Sequence, residues 1–422
     1  MTESSLRVPS KKSRENMADP ILSWILEGIP SPPRVRLFDD VSFIYEAQLA
    51  RMEIESWWDR PKEFRKKAAY FEEVDGEKTY HYYISGLKGK GQIGRTNQYL
   101  THWYYPYKAK FHPQMIKAVL NFTGLTEGQT VLDPFCGSGT TLIEAKMMGV
   151  NSVGTDVDPL CILMSKVKTD LLDLSAGQLK SIDMRGAFEH FSHNPSSASL
   201  ESFLTNESAS EGGVFRGVDA RIYNFYLLTY LYALSDFTYI QVDMWSQFKK
   251  NAQLMIDNIA GFDDLKKKLE FSFGTVDAKD GDARFLSNSV KKVDAIITSP
   301  PYSIAIDYIK QDIHALQYLK INPEGLRDKV VGLKGKGHER IKTYYDDMKL
   351  AFDSMFGVLN PKGYCAMVIG DPTYEGEKLP LSRTYVEMAK ASGFDHIALI
   401  KRPILGGFAR LRYEYVLIFQ KP

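Results

Sequence analysis

Two short strings in this chain carry residue types that could do chemistry together. The first is Asp133-Pro134-Phe135-Cys136-Gly137-Ser138-Gly139-Thr140. Glycines at 137 and 139 let the backbone approach a ligand closely and leave the amides of a following helix free to face it. No third glycine stands at the spacing of a dinucleotide-binding turn, and no Gly-Lys-Ser/Thr ending marks a phosphate loop. The next apolar stretch closes on Asp156, placed to accept hydrogen bonds from ribose hydroxyls. A carboxylate at each strand end around a glycine turn suits a nucleoside with a positive charge and an amino-acid tail. S-adenosylmethionine is such a ligand.

The second string is Thr298-Ser299-Pro300-Pro301-Tyr302, at the end of the apolar run Val-Asp-Ala-Ile-Ile. Two successive prolines stop a strand, so the Ser299 side chain and the Pro300 carbonyl stand beyond its end as acceptors. Tyr302 adds a flat face. Such a group fits a planar nucleobase held by its exocyclic amine and stacked on the ring. Alone, the string also reads as a rigid loop; its pairing with the glycine turn gives it chemical meaning.

The elements that must position these residues follow from hydrophobic periodicity. A strand ends at Asp133, a helix runs from about Thr140 to Met148, and a second strand ends at Asp156. Further strands are expected near Phe271 to Val276, over VDAIIT, over GYCAMVIGD and over YEYVLIF. The last two suit an antiparallel edge pair. Helical patterns fill residues 20–75, and Tyr- and Phe-rich helical patterns fill 215–270, after a Ser-rich run. Strand-helix alternation of this kind specifies an α/β sheet, here interrupted by an insertion.

Composition narrows the partners. With 53 basic and 52 acidic residues, a net charge of +1 and 44% hydrophobic residues, the chain is globular and does not coat nucleic acid by bulk charge. Three cysteines without Cys-x-x-Cys spacing fit neither a disulfide scaffold nor a zinc site, so no metal is expected. The polar start lacks an apolar signal core, and the most apolar stretch, from Ile222, is too short for a membrane helix. A cytoplasmic protein is expected, with no membrane partner.

Charge is uneven locally. From Gly86 to Glu127 there are six basic residues, Lys88, Lys90, Arg95, Lys108, Lys110 and Lys117, and no acid before Glu127. Tyr99, Trp103, Tyr104, Tyr105, Tyr107 and Phe111 interleave them. This is either a surface that meets phosphates and stacks on bases, or a solvated face with aromatics packed beneath it. The string GLKGKG occurs here, at Gly86–Gly91, and again at Gly332–Gly337 with Lys334 and Lys336.

Together these residues resemble the S-adenosylmethionine-dependent amino-methyltransferases of nucleic acids, the DNA cytosine-N4 and adenine-N6 enzymes. DPFCGSG is similar to that family's cofactor motif and SPPY to its catalytic motif. THWYYPYKAKFHPQMI, with Phe111, resembles the cofactor-flanking motif, and Asp282 of Gly281-Asp282-Ala283 the acid that reaches the adenine amine. The resemblance, which covers about 101–170 and 275–422, implies a Rossmann-like class I methyltransferase sheet with an antiparallel last strand; the helical N-terminal cap and the helical insertion are read from the residue patterns. Residues 1–18 are then a disordered tail, 19–100 a helical N-terminal region, 101–170 and 275–422 the catalytic domain, and 171–274 an insertion serving target recognition or acting as a packing lid. Implied cofactor residues are Asp133, Pro134, Phe135, Gly137, Gly139, Thr140, Asp156, Asp282 and Phe111. Ser299, Pro300, Pro301 and Tyr302 would be catalytic, and Lys88, Lys90, Arg95, Lys334, Lys336 and Arg410 would meet nucleic acid. A leading serine leans towards cytosine N4 in DNA; adenine N6, or RNA cytidine N4 or guanosine N2, are the alternatives. A carbon-5 enzyme would need a Pro-Cys dipeptide, which this chain lacks.

Overall fold

The computed structural model describes residues 20–39, 41, 43–87, 98–107, 110–193, 213–301, 306–404 and 411–422. Among these, the main sheet comprises β1 (Thr130–Asp133), β2 (Asn151–Asp156), β3 (Val276–Asp280), β4 (Val293–Thr298), β5 (Leu359–Gly370), β6 (Asp395–Pro403) and β7 (Tyr413–Gln420). Their spatial order is β3-β2-β1-β4-β5-β7-β6. Strands β1 to β5 pair in parallel, and β7 lies antiparallel between β5 and β6. This is the Rossmann-like class I methyltransferase arrangement that the resemblance implies.

The helices used below are α1 (Pro113–Thr123), α2 (Thr140–Met147), α3 (Pro159–Asp170), α4 (Ala220–Ile240), α5 (Met244–Leu269), α6 (Gly337–Val358) and α7 (Leu381–Ala391). Their ends are written locally. Pro113 opens α1, which stops at Gly124 in the left-handed region (φ 70°), and Asp158 accepts from Leu160 N to cap α3 ahead of Pro159.

Alternation along the strands buries the sheet on both faces. Ala295 and Ile297 of β4, with Val416 and Ile418 of β7, pack on one side against α1 and the N-terminal region. Ile296, Leu417 and Phe419 face the other side, against α6 and α7. A separate apolar core joins α3 of the catalytic segment to α4 and α5 of the insertion, whose described residues are largely helical, as expected.

Four sequence expectations change. The N-terminal region is not wholly helical: Val35–Leu37, Phe71–Val74 and Glu77–Lys78 form a small antiparallel sheet. Its hairpin turns on Asp75-Gly76, both with positive φ (51° and 88°), the pair that a tight two-residue turn demands. Strand β3 starts at Val276, later than expected, because Phe271 and Phe273 turn to pack on Phe262. YEYVLIF does pair antiparallel with GYCAMVIGD, but the outer edge is β6, a strand not anticipated. Finally, Tyr99, Trp103, Tyr104 and Tyr105 are buried core residues, and Lys117 is buried with them. These four aromatics are packing beneath the surface, the second of the two readings, whereas Tyr107 and Phe111 line the cleft described below.

Candidate active site

The strand order reverses between β1 and β4, and in open α/β sheets ligands bind beyond the carboxyl ends of strands at such a point. A cleft with about 900 Å3 of empty space, counted out to open solvent, lies there. Segments following β1, β2, β3 and β4 all contribute to its wall.

The turn after β1 supplies Pro134, Phe135, Gly137 and Thr140 to the cleft, and Phe111 joins them. Gly137 has φ 49°, and its amide donates to Asp156 Oδ2 (3.0 Å) while Asp158 N donates to Oδ1 (3.0 Å). Asp156 is half-buried at the cleft wall. Burial pushes its carboxyl up to about 6. The free backbone approach at Gly137, the apolar rings and the carboxylate between them fit a nucleoside cofactor of the kind the sequence implies.

Two predicted cofactor residues lie outside that wall. Gly139, with φ 81°, starts α2, and a Cβ there would sit 2.9 Å from Ser165 Oγ; its role is to let α2 pack on α3. Asp133 is fully buried beneath the cleft. Thr298 Oγ1 and Phe135 N donate to its Oδ1 (2.7 and 3.2 Å), and its Oδ2 has no hydrogen-bond partner. Burial pushes this carboxyl up to about 6. Asp133 therefore ties the glycine turn to the end of β4 from outside the cleft lining. Asp282 does line the cleft, but Arg284 Nε and Nη2 donate to its carboxylate (2.9 and 2.6 Å).

Across the cleft, Ser299, Pro300 and Pro301 line the wall. Ser299 Oγ donates to the carbonyl of Val368 in β5 (2.8 Å). With its proton so engaged, the hydroxyl offers only lone pairs to anything else in the cleft. Tyr302, like Lys88, Lys90, Arg95, Arg410 and the tail, lies outside the described residues. Lys334 is half-buried and Lys336 exposed, in the turn that follows the cleft-lining Lys329, Val330 and Val331.

Several further residues form the wall; Tyr107 and Lys110 come from the basic aromatic segment, and Tyr308 and Asp158 were not anticipated. Tyr107 and Tyr308 stack with ring centroids 6.0 Å apart and planes at 17°. Asp158 is buried, and burial with the neighbouring Asp156 charge raises its carboxyl to about 8. Lys110 Nζ donates to the carbonyls of His102 and Tyr105 (3.1 and 3.2 Å). The Asp158-Pro159 pair is a helix-start signal that could have marked the second; nothing in the sequence brings Tyr308 to Tyr107. Cys136 is buried and its thiol is raised well above its ordinary value by burial, which suits no nucleophile. Among the described residues no cluster of His, Cys, Asp or Glu could hold a metal ion, and no helix is long and apolar enough to cross a membrane.

Residues 103–185 match the family model described as UPF0020, RMKL-like, methyltransferase domain. The chain is 38% identical over 93 residues to the Type II methyltransferase M.MjaII of Methanocaldococcus jannaschii, covering 22% of this chain and 17% of that protein. It is 44% identical over 52 residues to the tRNA (guanine(10)-N2)-dimethyltransferase of Methanothermobacter thermautotrophicus, covering 12% and 16%. The chain thus spans less than one fifth of the length of these relatives. Among solved structures, TrmN from Thermus thermophilus overlays with a TM-score of 0.29 at 14% identity, covering 75% of this chain and 50% of that one. The rRNA methyltransferase aviRa from Streptomyces viridochromogenes overlays with 0.31 at 11%, covering 75% and 86%.

Proposed function

We propose that this protein is an S-adenosylmethionine-dependent methyltransferase acting on an exocyclic amino group of a nucleobase, and specifically on cytosine N4 in DNA. The observation that carries the reading is Ser299: its hydroxyl proton is held by Val368 O, so it meets a ligand as an acceptor, in the same cleft as the glycine turn. The matches to Type II methyltransferases support a nucleic-acid substrate.

An exocyclic amine is a poor nucleophile because its lone pair is conjugated with the ring. Ser299 Oγ and the Pro300 carbonyl would accept its two hydrogens, drawing the nitrogen towards a tetrahedral shape with its lone pair turned to the cofactor side. The cofactor supplies an electrophilic methyl group. Pro134, Phe135, Gly137, Thr140, Asp156 and Phe111 would hold it, Asp156 accepting from ribose hydroxyls. The work left to the protein is orientation and exclusion of water, and the amine proton leaves late to solvent. Tyr302 would stack on the base, and Lys334 and Lys336 would meet phosphates at the rim.

A second reading, guanosine N2 in transfer RNA, is favoured by the matches to tRNA (guanine(10)-N2)-dimethyltransferases. Incubation with radiolabelled cofactor and either DNA or total RNA, followed by mass spectrometry of the nucleosides, decides between them. N4-methyldeoxycytidine is expected; label confined to RNA would replace the first reading by the second.

A further inference from the structure

Helix α4 outruns the body that packs it. Its residues are largely buried through Ser235, yet the last four stand clear, with Phe237, Tyr239 and Ile240 exposed by 52%, 55% and 62%. An apolar cluster left in water at the end of a helix marks a contact surface rather than a packing need. Phe237 and Ile240, three apart, share one side of the helix.

The tip is fastened to the wall of the cleft. Tyr239 OH donates to Gln311 O (2.5 Å), one helical turn after the cleft-lining Tyr308. The Tyr239 ring meets His314 edge-on at 5.5 Å, and Tyr105 OH donates to Asp312 (3.2 Å) beside it. Of the nearby acids, Asp236 accepts from Asn251 (3.4 Å), and Asp243, which accepts from Ser246 N (2.8 Å), is exposed. Lys310, on the short helix between tip and cleft, is exposed.

We propose that Phe237 and Ile240 form a wedge that enters duplex DNA and fills the space left when the target base turns out into the cleft. The idea rests on the function proposed above and deepens it by naming the duplex as the form of substrate. A base removed from its stack leaves an apolar gap beside phosphates, and apolar side chains inserted there offset the cost of unstacking. A second copy of the chain is a poorer occupant, because a few half-exposed side chains fall far short of the ~1,200 Å2 that stable interfaces bury.

The test compares duplex with heat-denatured DNA, both prepared by amplification so that no base is modified, using radiolabelled cofactor. The double variant Phe237→Ala, Ile240→Ala should melt and bind cofactor as the wild type does. It should lose at least about tenfold of its methyl transfer to duplex, an unstacking penalty of ~1.4 kcal/mol no longer offset, while its transfer to denatured DNA stays unchanged. Phe237→Leu with Ile240→Met, which keeps apolar bulk, should retain duplex activity. Unchanged transfer to duplex, an equal loss on both forms, or a wild-type dimer that the double variant dissolves would each overturn the wedge. Wild-type transfer to RNA alone would instead overturn the function on which it rests.

Discussion

At the ends of β1 and β2, two backbone amides, Gly137 N and Asp158 N, converge on one carboxylate, Asp156. At the end of β4 the direction of donation is opposite: a side-chain hydroxyl, Ser299, gives its proton to a backbone carbonyl, Val368 O. The first region fixes a turn around an acid, so that a ligand of one shape is met by a wall already organised. The second keeps acceptors free, which suits a substrate group rich in hydrogens. The two regions share a strand pairing, and beyond it a buried side-chain hydrogen bond, Thr298 to Asp133, joins them.

If the two sides carry separate tasks, substitutions should separate them. The largest effect is expected at Ser299→Ala, where loss of a transition-state acceptor costs on the order of a hundredfold in kcat, while cofactor affinity, measured by calorimetry, stays at the wild-type value. Parallel losses in both would merge the two regions into one. Next, Asp156→Ala should weaken cofactor binding by more than about tenfold, the loss of a charge-assisted hydrogen bond, with transfer recovering at high cofactor concentration. Failure to recover would place Asp156 in the chemistry as well.

The contact between the regions comes third. Thr298→Val keeps the branched shape and removes the hydroxyl, and should lower kcat by about tenfold, the measure of one net hydrogen bond, with cofactor affinity intact. Thr298→Ser should restore it. A lowered melting temperature with unchanged kcat would make the contact structural only.

The smallest effect concerns pH. Burial holds Asp156 near 6 and Asp158 near 8, above the unfolded value of 3.8 for both, so the folded chain keeps protons that the unfolded chain releases. Their contribution to stability is complete below about 4 and is lost as pH rises through about 6 and then 8. The ligand-free protein should therefore melt at a lower temperature at pH 8.5 than at pH 5.5. Asp158→Asn, which can still accept from Leu160 N, should flatten that dependence; an unchanged slope would show that Asp158 in the cleft wall is not its source.

What was legible in the sequence was local. A glycine turn, a double proline and a strand before each declare themselves within a few residues, and Pro134 to Ser138, Thr140 and Ser299 to Pro301 line one cleft. Burial was legible only as one of two alternatives: Trp103, Tyr104 and Tyr105 stand beside lysines as a base-binding stripe would, and the core that covers them is assembled from α3, the insertion helices and the segment around Leu316, all far along the chain. Partnership at a distance was hidden. Asp133 reads as a ligand until Thr298 is found beside it, and Asp282 reads as an open acceptor until Arg284, itself held by Asp347 at 2.8 Å, takes its carboxylate. Strand β6 escaped because DHIALIKRP lies half in solvent, with Ile397 and Leu399 exposed, and shows no clean alternation.

The position of β7 sets an order of events during synthesis. β5 and β6 leave the ribosome first, yet they never pair with each other; each waits for β7 to arrive between them. Until then both present unpaired edges, the kind of surface on which nascent chains associate wrongly. Closing the sheet is therefore expected to be a late step, in which one strand must find an antiparallel partner on each of its two edges. Slowing translation ahead of residue 413 should lower the yield of folded protein, and supplying a chaperone that covers strand edges should raise it, in both cases without touching a residue of the cleft.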